Sequence, residues 1–180
     1  MKTHKAFGEL RKYVMTGKSI SSKLKIFEIC SLRYLQVRSP AFAKRFVDRL
    51  VKGMMIETDV KFFIRTLNDF FIFSVLWENE LQEKLVFKNG ANFLDVGAHI
   101  GKYTLRAALK VGKNGRVIAI EPNRDTYKVL LRNVELNDVT NCTPLNIAAY
   151  QTDSELRLFF GETSAQSSVV EASRKCLLER

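Results

Sequence analysis

The stretch NFLDVGAHIGKYTL, residues 92–105, sets a short apolar run, an aspartate and two glycines four apart directly ahead of a helical pattern. A strand that ends on glycine and turns at once into a helix opens a βα unit. Glycine tolerates the tight backbone, and the helix that follows presents unpaired N–H groups at its start. The downstream sequence repeats the alternation. FLDV at 93–96 reads as a buried strand, Tyr103 to Val111 as a helix, and Arg116 to Ile120 as a second strand after the KNG turn. Arg124 to Leu136 reads as a helix with Tyr127, Leu130, Leu131 and Val134 on one side. CTPLNIAAY, from Cys142, reads as a third strand, and SELRLFF, where Leu156 and Leu158 alternate with charge, as a half-exposed one. Strands alternating with helices predict an α/β fold with a parallel sheet, right-handed crossovers and a ligand site at the carboxyl ends of the strands.

The loop narrows the ligand. Gly97 and Gly101 are spaced GxxxG, whereas dinucleotides favour GxGxxG with a middle glycine against the pyrophosphate, and position 99 here is histidine. Asp95, just before the loop, repels a pyrophosphate and suits a cationic ligand. Glu121 ends the second strand 20 residues past Gly101, where a carboxylate can accept both hydroxyl hydrogens of a ribose. A ribose, no pyrophosphate and a positive centre together describe S-adenosylmethionine. The competing structural reading has Glu121 capping the turn, with Pro122 opening the next helix.

FLDVGAHIGKYTLRAAL, GRVIAIEPNRDTYKVLLRNVELN, NCTPLNIAAY, SELRLFF and SAQSSV together resemble the FkbM-type S-adenosylmethionine-dependent methyltransferases, over residues 56 to about 170. The segment VKFFIRTLNDFFIFSVLWENELQ resembles the one that precedes the glycine loop in that family. The resemblance implies a Rossmann-like, class I methyltransferase sheet and methyl transfer to a hydroxyl of a sugar or other small acceptor. It implies a cofactor loop of Asp95, Gly97, Ala98, His99 and Gly101 leading into Tyr103 and Thr104. Glu121, with Pro122 and Asn123, would hold the ribose side, and Asn146 and Ala148 the adenine side. His99 stands where the family usually has asparagine. The sequence to Arg180 stops short of the family's fourth strand and its acidic loop, so the expectation is the N-terminal half of the sheet only, with a homo-oligomer or partner chain left to complete it. No catalytic base stands out: His4 lies in the basic arm, His99 belongs to the cofactor loop, and the sequence fixes no geometry for Asp125 or Asp153. An alternative is a cofactor-binding or interaction module without turnover.

Upstream, the texture differs. Residues 1–52 carry 13 Lys+Arg against 3 Asp+Glu, which accounts for the whole net charge of +10, since residues 53–180 carry 16 of each. This divides the chain into a basic helical segment, 1–52, and a partial methyltransferase domain, 53–180. Helical spacing recurs at Phe7, Leu10 and Val14, from Leu24 and Phe27 to Leu35, and from Ser39-Pro40 through Phe42, Phe46, Val47 and Leu50. MMIETDVKFFIRTL reads as one or two short strands, and DFFIFSVLWENELQEKLV as more helical. A basic arm suits nucleic acid, an anionic membrane surface or an acidic partner, while the plainer reading is a solvated helical arm whose apolar side packs on the domain. Nucleic acid is not expected, because the charges lack interleaved exposed aromatics and no recognised binding motif appears. Cys30, Cys142 and Cys176 lie far apart with no CxxC pair, so neither a metal site nor a disulfide framework is expected, and a cytoplasmic setting fits. No apolar run is long enough to span a bilayer.

Overall fold

A computed structural model of the chain describes residues 14–15, 17–38, 48–66, 69, 86–152 and 158, with side chains described to Ser31 in the first helix. The chain divides into two compact units, Met1–Val86 and Phe87–Arg180.

In the first unit, helix α1 (Ile20–Arg38) accompanies an antiparallel hairpin of β1 (Met54–Glu57) and β2 (Lys61–Ile64). Ile56 pairs with Phe62, and Met54 with Ile64. Thr58 supports the turn: its Oγ1 donates to the Val60 carbonyl, and its backbone N–H bonds the same oxygen at 2.8 Å. Ile26 and Ile29 of α1 pack with Val51, Ile56 and Ile64 into a dry core. The helix is tied to the hairpin by Ser22, whose Oγ accepts from the Glu57 N–H at 3.1 Å. The two short strands expected in MMIETDVKFFIRTL are this hairpin. The helical pattern read after it lies outside the described residues, apart from Asp69 and Val86.

The second unit is a three-stranded parallel sheet in the order β3 (Asn92–Val96), β4 (Arg116–Ile120), β5 (Cys142–Leu145). Helix α2 (Lys102–Val111) joins the first pair and α3 (Arg124–Leu136) the second. This is the expected Rossmann-like βαβαβ order, in which each strand lies beside the one before it. Ala107, Ala108 and Val111 of α2 pack on Val117, with Phe87, Phe93 and Cys142 around them. Gly115 permits this closeness, since a Cβ there would stand 2.5 Å from both the Ala91 carbonyl oxygen and the Val111 Cβ.

Three expectations change in detail. The third strand ends at Leu145 rather than running on through Tyr150. Pro144 has no N–H to offer a ladder, and beyond it the Asn146 side chain turns to donate to the Glu121 and Pro122 carbonyls. FLDV is also not buried throughout: Leu94 and Val96 are more than half exposed, and Ile118 of β4 is exposed beside them, while Val117 and Ala119 on the alternate positions are buried. The parallel run therefore alternates with period two. Last, α3 runs over Arg124–Leu136 as read, with Asn123 as its cap, so Pro122, which the competing reading of Glu121 has opening the helix, stands ahead of it. The strand read at 154–160 lies outside the described residues, Leu158 excepted.

Candidate functional site

The site grows out of the carboxyl ends of β3 and β4. After Val96 the chain enters a loop with three left-handed residues, Gly97 (φ 80°), His99 (φ 52°) and Gly101 (φ 94°). Glycine reaches that region freely, whereas among side-chain-bearing residues asparagine, aspartate and histidine are the ones enriched there. A histidine in place of asparagine thus satisfies the same backbone demand. The two glycines differ in what surrounds them. A Cβ on Gly97 would meet no heavy atom within 4 Å, so the space above it is open. A Cβ on Gly101 would stand 2.8 Å from Leu130 Cδ1 and 3.6 Å from Leu105 Cγ, so this glycine is there for packing against α3.

Gly101 caps α2 with no side-chain acceptor of its own. Asp95, from the end of β3, supplies one: its carboxylate accepts from the Thr104 hydroxyl and from the Thr104 backbone N–H. Negative charge at the start of a helix is favourable. Burial nonetheless pushes the Asp95 carboxyl above its ordinary 3.8, a rise that the two Thr104 bonds oppose. Burial first and the Asp95 charge second raise the thiol of half-buried Cys142, on β5, from 9.0 to about 11.

Glu121, buried to 5% exposure, spans two loops. One carboxylate oxygen accepts from the His99 N–H and the other from the Asn123 N–H, each at 2.9 Å. Both readings of this residue meet in one geometry: it caps the turn before α3, and it stands beside the glycine loop at the end of its strand. A carboxylate oxygen can accept more than one hydrogen bond. Asn123 in turn accepts from Asp125 N at 3.0 Å and Thr126 N at 3.3 Å, fixing the start of α3.

The structure therefore brings Asp95, Gly97, Ala98, His99, Gly101, Thr104, Glu121 and Asn123 together, and Asn146 joins them through its amide to the Glu121 carbonyl at 2.8 Å. Tyr103 lies in the first turn of α2, with its hydroxyl buried and without a hydrogen-bond partner among the described residues. Ala148 follows β5, half-buried. Of the candidate bases, Asp125 is an exposed residue at the start of α3, 3.4 Å from Lys128 Nζ, while His4 and Asp153 lie outside the described residues. Among the described residues no group of three or more His, Cys, Asp or Glu side chains is placed to hold a metal.

Two supports were not read from the sequence. Asn133, fully buried on α3, donates its amide to the Ile100 carbonyl at 2.9 Å and so holds the glycine loop from behind. Lys102 is buried to 5% with its ammonium 5.1 Å from the centre of the Tyr103 ring. The asparagine in the RNV stretch sits on the same helical side as Leu130 and Val134, and a polar residue at a core position is the signal that could have found it.

Comparison with known proteins agrees with the class of site. The family model described as the TRM5/TYW2 methyltransferase domain matches residues 47–173. The sequence resemblance pointed to the FkbM-type family; what the match supports is methyltransferase membership at the wider level, with TRM5/TYW2 as the family. A probable cobalt-precorrin-6B C(15)-methyltransferase (decarboxylating) of Sulfurisphaera tokodaii is 33% identical over 94 residues, covering 49% of each chain. The chain thus spans about half the length of the curated relative it matches. Among solved structures, TYW2 of M. jannaschii in complex with AdoMet is 26% identical with a TM-score of 0.40, over 59% of this chain and 48% of that one. Trm5b of Pyrococcus abyssi is 24% identical with a TM-score of 0.41, over 49% and 26%.

Proposed function

The chain belongs to the TRM5/TYW2 methyltransferase domain family, and on that footing we propose that it binds S-adenosylmethionine at the ends of β3 and β4 for methyl transfer. The observation that carries this reading is Glu121, a buried carboxylate held between the glycine loop and the next helix start. The residues fit the cofactor. The open space over Gly97 admits a ligand against the backbone, and Glu121 sets a negative carboxylate beside that loop at the end of β4, the group type that suits a ribose diol. Asp95 and Asn133 keep the loop in its shape from below and behind. The bound cofactor supplies an electrophilic methyl group on sulfonium. The chain's part is to bind it, orient it and hold the loop, which is the positioning share of catalysis.

For the acceptor, the motif resemblance supports a hydroxyl of a sugar or other small molecule. A second reading, an RNA nucleotide, is favoured by the family, whose members are tRNA-modifying, and by the +10 charge gathered in residues 1–52. The earlier expectation against nucleic acid is therefore not carried forward. The cofactor reading is tested with Glu121→Gln, which keeps an oxygen acceptor but removes the charge. Calorimetry with S-adenosylhomocysteine should show affinity weakened by about 2 kcal/mol, roughly thirtyfold. Equal affinity in a folded variant would refute the assignment. Transfer of labelled methyl to bulk tRNA or to a panel of glycosides then separates the two acceptors.

A further inference from the structure

Helix α1 is apolar on two opposite sides, and among the described residues one of them packs in a core while the other is exposed. Ser22, Ile26 and Ile29 are buried on the side that packs in the hairpin core. On the other side Ile20 is 78% exposed, Leu24 64% and Phe27 50%, with Met15 just upstream at 59%. At about 100° per residue the three helical positions fall within an arc of about 60°, so they form one stripe along the helix. Three large apolar side chains aligned on an exposed face mark a contact surface rather than scattered surface residues.

We propose that this stripe docks α1 on an anionic lipid surface, lying along it rather than crossing it. Among the described residues no helix is long and apolar enough to cross a membrane. The charge selects the occupant. Lys23 is half-exposed on one flank of the stripe and Glu28 exposed on the other, Lys18 is exposed where the chain meets the hairpin, and residues 1–52 carry 13 basic against 3 acidic groups. A second copy of the chain would bring two such positive segments face to face, at a Coulomb cost. RNA would accept the lysines but leave Ile20, Leu24 and Phe27 in water. An anionic bilayer takes both, the apolar stripe at the acyl boundary and the lysines among the headgroups. The pairing of Lys18 with Glu57 at 3.7 Å does not hold the lysine back, since both side chains are well exposed and such pairs contribute at most about 1 kcal/mol. This inference concerns the N-terminal unit alone and stands whichever acceptor the methyltransferase unit serves.

The test is co-sedimentation of the full chain with phosphatidylcholine vesicles and with vesicles containing about one third phosphatidylglycerol. Binding to the anionic vesicles should be at least about tenfold tighter and should fall as salt rises. The double variant Leu24→Ser, Phe27→Ser removes exposed side chains only, and should lower that binding at least about thirtyfold while circular dichroism stays that of the parent. Lys18→Glu, Lys23→Glu should abolish the preference for anionic lipid. Three results would overturn the proposal. One is equal or absent binding to both vesicles, and another is parental binding by the serine variant. The third is a parent that forms a dimer by sedimentation equilibrium without lipid and loses it in the serine variant, which would assign the stripe to a second copy. RNA binding lost in the lysine variant but kept in the serine variant, with no lipid binding, would assign the charge to nucleic acid and overturn it equally.

Discussion

Replacing Gly101 by alanine separates backbone strain from packing, because two glycines of the same loop face different surroundings. At Gly101 the backbone stands at φ 94°, and the new Cβ would sit 2.8 Å from Leu130 Cδ1, well inside contact distance. Leu130 is fully buried, so its methyl cannot swing into solvent to make room. The left-handed conformation costs an alanine about 1–2 kcal/mol, and forcing a methyl into a packed site costs a further ~1–3 kcal/mol. Gly101→Ala should therefore destabilise the fold by about 2–5 kcal/mol. Gly97→Ala carries a similar φ, 80°, with nothing within 4 Å of its Cβ, so only the backbone share of about 1–2 kcal/mol applies. Urea unfolding of both variants measures the two values. Leu130→Ala closes the argument: it creates a cavity, and adding Gly101→Ala to it should cost less than in the parent, a coupling of about 1 kcal/mol or more. Equal losses at the two glycines, or strict additivity with Leu130→Ala, would refute the packing role.

Two further outcomes follow from the same loop. His99 stands at φ 52°, so His99→Asn should leave stability within about 0.5 kcal/mol while His99→Val costs about 1–2 kcal/mol in urea unfolding; equal values would remove the conformational reason for a histidine there. Burial raises the Asp95 carboxyl above 3.8, so its stabilising neutral form contributes fully below 3.8 and the contribution is lost as pH rises through the higher folded value. Asp95→Asn does not titrate, so its Tm should rise relative to the parent as pH climbs from below 3.8 through that window, and a constant difference would contradict the direction of the shift.

What could be read from the sequence was what neighbours in the chain decide. The glycine loop, the βα alternation and the acid at the end of the second strand are local patterns, and they stand where the spacing placed them. The rest depends on partners distant in sequence. Asn133 bonds Ile100 across 33 residues and Asn141 bonds the Ala108 carbonyl across the same separation, and periodicity contains nothing about either. The early end of the third strand is marked in the sequence by Pro144, whose missing donor counts for more than the apolar run around it. The exposed face of β3 and β4 was not visible at all. An unbroken run such as FLDV looks the same whether one side of the sheet is covered or both. The family followed the same division: the cofactor loop is shared among methyltransferases, so it carried the class and not the member.

Glu121 ties together two segments that are far apart in the chain, and this changes what its loss would mean. Its two oxygens already hold the His99 and Asn123 N–H groups, so the segments on either side of the proposed ribose position are joined before any ligand arrives. The ordering is supplied by folding and need not be repeated at each encounter, which removes a conformational entropy cost from association. The same economy makes the residue hard to dissect. A substitution that deletes the carboxylate severs a crosslink as well as a contact, so a fall in affinity mixes the lost bond with the lost order. Hydrogen exchange at the His99 and Asn123 amides, followed without ligand, reads the second loss by itself.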